Sequence, residues 1–202
     1  MKKLLILFVF ILGCKTSQQN YLVDDDYKII QVLLDRHARV SLSNLENDSY
    51  LHDLEPNSKE YNKKLLGMYV DQVYKDTYYI TLNSKLFIIK KNNYIQKLFE
   101  ENGFTGNYSN LKELMIQQNK IKLHKNIKII DANNSDLIHS KNYIGDYSIS
   151  RIIYEGNKAV VIIKNITGYS RAIVFLEKKE GNWIVIDGKP IPYRVGNENI
   201  DL

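Results

Sequence analysis

Histidine, cysteine, serine and paired carboxylates are the residues able to carry acid–base, nucleophilic or metal chemistry, and their spacing in this chain of 202 residues restricts all three. The four histidines, His37, His52, His124 and His139, include no pair at H-x-H or H-x₃-H spacing and no H-E-x-x-H. No short segment therefore offers two imidazoles to one metal ion. The one cysteine, Cys14, lies ahead of the foldable segments. The domain then has no disulfide framework, no Cys-based zinc site and no thiol nucleophile. Gly168-Tyr169-Ser170 begins like a nucleophile elbow, but Arg171-Ala172 follow in place of a second glycine and lead into β-forming residues. Neither G-x-x-x-x-G-K-[ST] nor G-x-G-x-x-G occurs, so no nucleotide-binding loop is expected. Asp24-Asp25-Asp26 lacks the further oxygen ligands of a calcium loop and suits a helix start, where exposed N–H groups favour carboxylates. One cluster with hydrolytic potential remains. His52, Asp53 and Glu55, with Asp48 nearby, combine a base and carboxylates in the loop before Pro56. Solvated loop charges are the simpler reading of that cluster.

The cysteine has a different chemistry available. Met1-Lys2-Lys3 is a positive start, Leu4 to Leu12 is an unbroken apolar run, and Gly13-Cys14 follows. Positive start, short apolar stretch and small residue at the cut form the pattern of an export signal. The run is too short to cross a bilayer, which takes about 20 residues as a helix. Loss of Lys2 and Lys3 with the signal lowers the formal charge from +5 to +3. Basic and acidic residues are interspersed without a long Lys/Arg stripe, so no nucleic-acid partner is expected.

Ile11-Leu12-Gly13-Cys14 resembles the lipobox of bacterial lipoproteins, with Leu12 bulkier than the usual small residue at its position. The resemblance implies cleavage between Gly13 and Cys14, acyl chains on Cys14, and a lipid bilayer as partner. More than one chain anchors stably where a single one binds marginally. Lys15 follows the cysteine instead of Asp, and no acidic residue precedes Asp24. The same resemblance then implies the periplasmic face of the outer membrane. Residues 1–13 read as signal peptide, 14–23 as a polar lipidated tether, and 24–202 as a single domain. At 44% hydrophobic and 25% charged residues the chain has the composition of an ordinary globular protein.

The elements that would position any site follow from periodicity. Tyr27, Ile30, Leu33, Leu34, His37 and Ala38 recur at helical spacing behind the three aspartates. Residues 40–56 are polar and turn-rich. Asn57-x-x-Glu60 looks like a capping box for a second helix reaching Lys75. Thr77 to Leu82 is rich in β-formers, and Leu86 to Ile89 extends or follows that strand. A helix is expected from Asn92 to Glu101, stopped by Asn102-Gly103. Another is expected from Asn110-x-x-Glu113 to Gln118, and alternation over 121–131 suggests a strand pair or an extended connection.

The last third reads as an antiparallel meander. Strands at Tyr147–Tyr154, Ala159–Ile163, Ala172–Leu176 and Trp183–Ile186 are separated by Glu155-Gly156-Asn157, a break near Thr167-Gly168, and Glu180-Gly181-Asn182, with Gly188 closing the run. Trp183 should anchor the core, and the fifteen tyrosines, Tyr74, Tyr78 and Tyr79 among them, suit sheet packing better than a ligand surface. Helices first and a meander last indicate an α+β fold, N-terminal helices packed on a C-terminal antiparallel sheet. Ser150-Arg151-Ile152-Ile153-Tyr154, Lys158-Ala159-Val160-Val161 and Leu176 to Val185 with its Gly181-x-Trp183 resemble the C-terminal meander of small flavobacterial-type lipoproteins. Similar hairpins occur in cystatin-like and nuclear-transport-factor-like folds, so one of those is implied. Such folds carry enzymes and binding modules alike. The expectation is an envelope lipoprotein whose domain binds a protein or small molecule without catalysis and without a cofactor. The alternatives are an envelope hydrolase built on His52, Asp53 and Glu55, and an immunity factor that neutralises a toxin.

Overall fold

The computed structural model describes residues 21–38, 55, 58–106, 108, 111–124, 126–196 and 198–202. In chain order these form α1 (Asp24–His37), α2 (Lys59–Lys75), β1 (Tyr78–Leu82), β2 (Lys85–Leu86), α3 (Asn93–Glu101) and β3 (Leu114–Met115). A 3₁₀ turn (Gln118–Lys120) precedes β4 (Ile127–Ile130), α4 (Ser135–Ile138) and β5 (Tyr143–Ile149). β6 (Ile153–Glu155), β7 (Lys158–Asn165), β8 (Ser170–Lys179), β9 (Asn182–Pro190), β10 (Arg194–Val195) and β11 (Glu198–Asn199) complete the chain. The protein is α+β, with a large open, mostly antiparallel sheet in the order β4-β1-β5-β7-β8-β9, β6 also pairing with β7. No described helix is long and apolar enough to cross a membrane.

The run Ala159-Val160-Val161-Ile162-Ile163 is apolar at every position, as a strand is when both its faces are buried. Side chains of successive strand residues point to opposite faces. Accordingly Ala159, Val161 and Ile163 join a core with Ile29, Ile30, Leu33 and Leu34 of α1. Val160 and Ile162 join a second core with Ile95, Leu98 and Phe99 of α3 and with Ile191 and Ile200 near the C-terminus. The meander is thus covered on both faces.

Local chemistry accounts for most element ends. Asp26 at the third position of α1 accepts from the Val23 N–H at 2.8 Å, one half of a capping box. Ser58 caps α2 by accepting from the Tyr61 N–H at 3.0 Å, one residue beyond the expected Asn57, which lies outside the described residues. Asn92 caps α3 by accepting from the Tyr94 and Ile95 N–H groups. Gly103, at φ +83°, ends that helix. Glu180 and Gly181, at φ +50° and +81°, form the two-residue turn of the β8–β9 hairpin, where the primed turn geometry needs positive φ.

Several expectations are corrected. Residues 111–118 do not form a helix. Leu114 and Ile116 alternate with exposed Met115, and β3 pairs with β2. The first meander strand starts earlier and breaks. Ile149 faces Ile163 and Ile153 faces Val160, so three residues on one strand oppose two on the other. At this bulge the Ser150 hydroxyl accepts from the buried Ile162 N–H at 2.8 Å, taking the place of a ladder carbonyl. Gly188 does not close the last strand, which continues to Pro190. The sheet is not purely a meander. β1 runs parallel to both β4 and β5, with α3, β3, β4 and α4 lying between β1 and β5 in the chain.

Candidate functional site

Of the expected site residues, Met1 to Asn20, with Gly13 and Cys14, lie outside the described residues, as do Asp48, His52 and Asp53. Glu55 is exposed. His124 and His139 are exposed on separate segments, and His37 is half-buried at the end of α1. Among the described residues no group of three or more His, Cys, Asp or Glu side chains is placed to hold a metal ion. Trp183 is buried in the core, as expected, in the cluster that also holds the apolar side chains of α1, and packs on Tyr154 with ring centroids 5.7 Å apart.

Three side-chain arrangements stand out. The first joins the start of α1 to the bulge. Buried Asp26 accepts from the Tyr154 hydroxyl at 2.5 Å, and buried Arg151 donates to the Lys112 carbonyl at 3.1 Å. Asp25 beside it pairs with Lys178 of β8. Burial, and then the Asp26 carboxylate, push the Tyr154 hydroxyl well above its ordinary range. Held protonated, Tyr154 is a donor to Asp26 and not a base. This arrangement closes the cap of α1 and fastens the helix to the sheet.

The second surrounds Tyr147. Its hydroxyl donates to the His37 carbonyl at 3.0 Å and accepts from the Asn165 amide at 3.2 Å. Burial pushes the Tyr147 hydroxyl up to about 12. The Asn165 Oδ1 accepts from the Gly168 N–H at 2.9 Å and so shapes the β7–β8 turn. A hollow of about 300 Å³ lies here between the end of α1 and β9.

The third is the largest of these concavities, a cleft of about 650 Å³ between the β7–β8 turn and the C-terminal segment. It shares Asn165, Ser170 and Arg171 with the hollow. The antiparallel register places Lys164 directly opposite Arg171. Like charges in that position destabilise a sheet, by up to about 1 kcal/mol. Lys90 and Arg194 add further positive charge. Lys164 Nζ lies 3.9 Å from the Phe87 ring centroid and donates to the main-chain oxygen of Leu202 at 2.9 Å. Arg171 stacks on Tyr193, with 3.9 Å from its guanidinium carbon to the ring centroid. It donates to the carbonyls of Ile191 at 3.2 Å and Ile200 at 2.7 Å, and to that of Pro192. Burial lowers the pKa of Lys164, and Arg171 and Lys90 lower it further. Asp201 on the rim offsets part of the charge on Arg171. Among the described residues none of these four cations pairs with an acidic side chain within 4.0 Å.

Sequence reasoning passed over this group. Lys164 and Arg171 flank Ile166 to Tyr169, and reading those as a four-residue hairpin loop would have set the two cations opposite each other. Lys90 carried no such signal, since it lies on the segment between β2 and α3, far in the chain from residues 164–171. The cleft can hold an anion by charge and by spare donors on the lysines, Arg171 and Ser170. The chain matches no family model, no curated protein and no solved structure.

Proposed function

We propose that the chain is a lipoprotein of the bacterial envelope, cut before Cys14 and held by acyl chains on the periplasmic face of the outer membrane, and that its domain binds a partner or small ligand without turning it over. The anchor rests on the order of Lys2-Lys3, Leu4 to Leu12 and Gly13-Cys14. The binding role is carried by one observation, the cross-strand Lys164–Arg171 pair opening into the 650 Å³ cleft. Two cations placed opposite each other weaken the fold, and perturbed charge in a concavity is a common mark of a binding site.

The finer fold belongs to the same proposal. Packing of α1 on one face of the β5–β9 meander favours a cystatin-like or nuclear-transport-factor-like arrangement, to which the parallel β4-β1 edge and α3 are additions.

Mass spectrometry of the mature N-terminus tests the anchor. The expected N-terminal peptide begins at acylated Cys14, and Cys14→Ser abolishes the modification. An unmodified Cys14, or cleavage elsewhere, overturns it. Capture of a partner from detergent-solubilised membranes by the native lipoprotein, lost on Lys164→Glu, supports the binding role. Turnover of cell-wall or ester substrates that a point mutation abolishes overturns the non-catalytic part.

A further inference from the structure

The cations of the cleft have main-chain oxygens as neighbours, and Asp201 is the one acidic side chain among the lining residues. Lys164 spends one of its three donors on the main-chain oxygen of Leu202. Arg171 spends three of its five on the C-terminal segment. Lys90 is exposed on the wall beside them and makes no ion pair among the described residues. Lys90, Lys164, Arg171 and Arg194 less Asp201 leave the lining side chains with a net formal charge of three and several free N–H groups. A carboxylate, with one charge and a planar pair of oxygens, would neutralise only part of that. A phosphate brings up to two charges and three oxygens arranged as a tetrahedron, and guanidinium and ammonium groups both suit it. The rim adds a different surface. Tyr169 is 80% exposed, Tyr193 55% and Ile166 52%. These can hold the organic part of a ligand, with tyrosine offering an apolar ring and a polar tip.

We propose that this cleft is a phosphate site, in which Lys90, Lys164 and Arg171 hold the phosphate group of a phosphorylated small molecule or an anionic lipid headgroup, while Tyr169 and Tyr193 flank its organic part. The assignment rests on the binding role proposed above and not on acylation of Cys14. Asp201 lines the same cleft and offsets one of these positive charges.

The full chain in neutral maltoside micelles is titrated with inorganic phosphate, followed by the NMR signals of the Lys164 to Arg171 backbone amides, against chloride at matched ionic strength. A second titration dopes the micelles with phosphatidylglycerol. Saturable shifts with inorganic phosphate assign a soluble phosphorylated ligand, and shifts with phosphatidylglycerol alone assign a lipid headgroup. Either outcome supports the site if Lys90→Gln weakens the response about threefold or more and Lys90→Gln with Lys164→Gln about tenfold, as expected for lost charge-assisted hydrogen bonds. Lys90 makes no contact on which folding depends, so its variant remains informative if the double variant is unstable. No response beyond chloride, or a response equal in wild type and Lys90→Gln, overturns the phosphate site. Intact mass of the same preparation reports acylation separately. Missing acylation with a saturable phosphate response overturns the anchor alone.

Discussion

Asn165 occupies space that any side chain at position 145 would need. A Cβ on Gly145 would stand 2.8 Å from the Asn165 Oδ1, on backbone at φ +144°. Close approach and conformation both exclude other residues there. Gly145→Ala should therefore lower stability by roughly 1–3 kcal/mol, read from urea unfolding. Ser150 is a second case. Its hydroxyl takes the Ile162 N–H and donates to the Arg151 carbonyl, all within the buried bulge. Ser150→Ala leaves a buried N–H without its acceptor and should cost about 1–3 kcal/mol, with slower exchange protection lost first at Ile162. Ser150→Ala as stable as wild type would refute that role. Neither position announces itself in the sequence. The partners of Gly145 and Ser150 lie across strands, at residues 165 and 162, and nothing at the positions themselves encodes the meeting.

Elements were legible where their signals are local. α3 carries a cap, an apolar face and a glycine stop within twelve residues, 92–103, and the structure has each of them in place. Asn92→Ala removes an acceptor for two N–H groups and should cost about 1 kcal/mol, while Asn92→Asp, which keeps the acceptor, should cost little. Thermal unfolding of both variants reads the difference. The hairpins were legible for the same reason, through Gly156 and the Glu180-Gly181 pair. Residues 111–118 misled because a short apolar pattern fits both periods. Leu114 and Ile116 fit a strand as well as a helix, and pairing with β2 decides between them. The box-like Asn110-x-x-Glu113 is therefore a motif without a helix.

At the scale of the molecule, contacts between α1 and the sheet tie stability to pH. Lys178 hydrogen-bonded to Asp25, helped by Lys28, holds the Asp25 carboxyl below the ordinary carboxylate range. A lowered folded value means that the unfolded chain takes up the proton first. The contribution is then complete above about pH 3.9 and is lost as pH falls through the lower folded value. The difference in urea midpoint between wild type and Asp25→Asn should be constant near neutrality and shrink below about pH 4. Tyr147 acts at the other end. Burial raises its hydroxyl to about 12, so its contribution is complete below the ordinary tyrosine value of about 10 and fades as pH rises through 12. Tyr147→Phe should unfold over that alkaline window with a flatter pH dependence. The α+β class, α1, α3 and the two glycine hairpins could be read from the chain alone, because each of those signals lies within a few neighbouring residues. The parallel pairing of β1 with β4 and β5, the two-sided core around β7 and the opposition of Lys164 to Arg171 in the cleft that Lys90 also lines emerge from the three-dimensional fold. Those features join residues whose meeting depends on register and on closing long loops, and that free energy has no signature in any short stretch of chain.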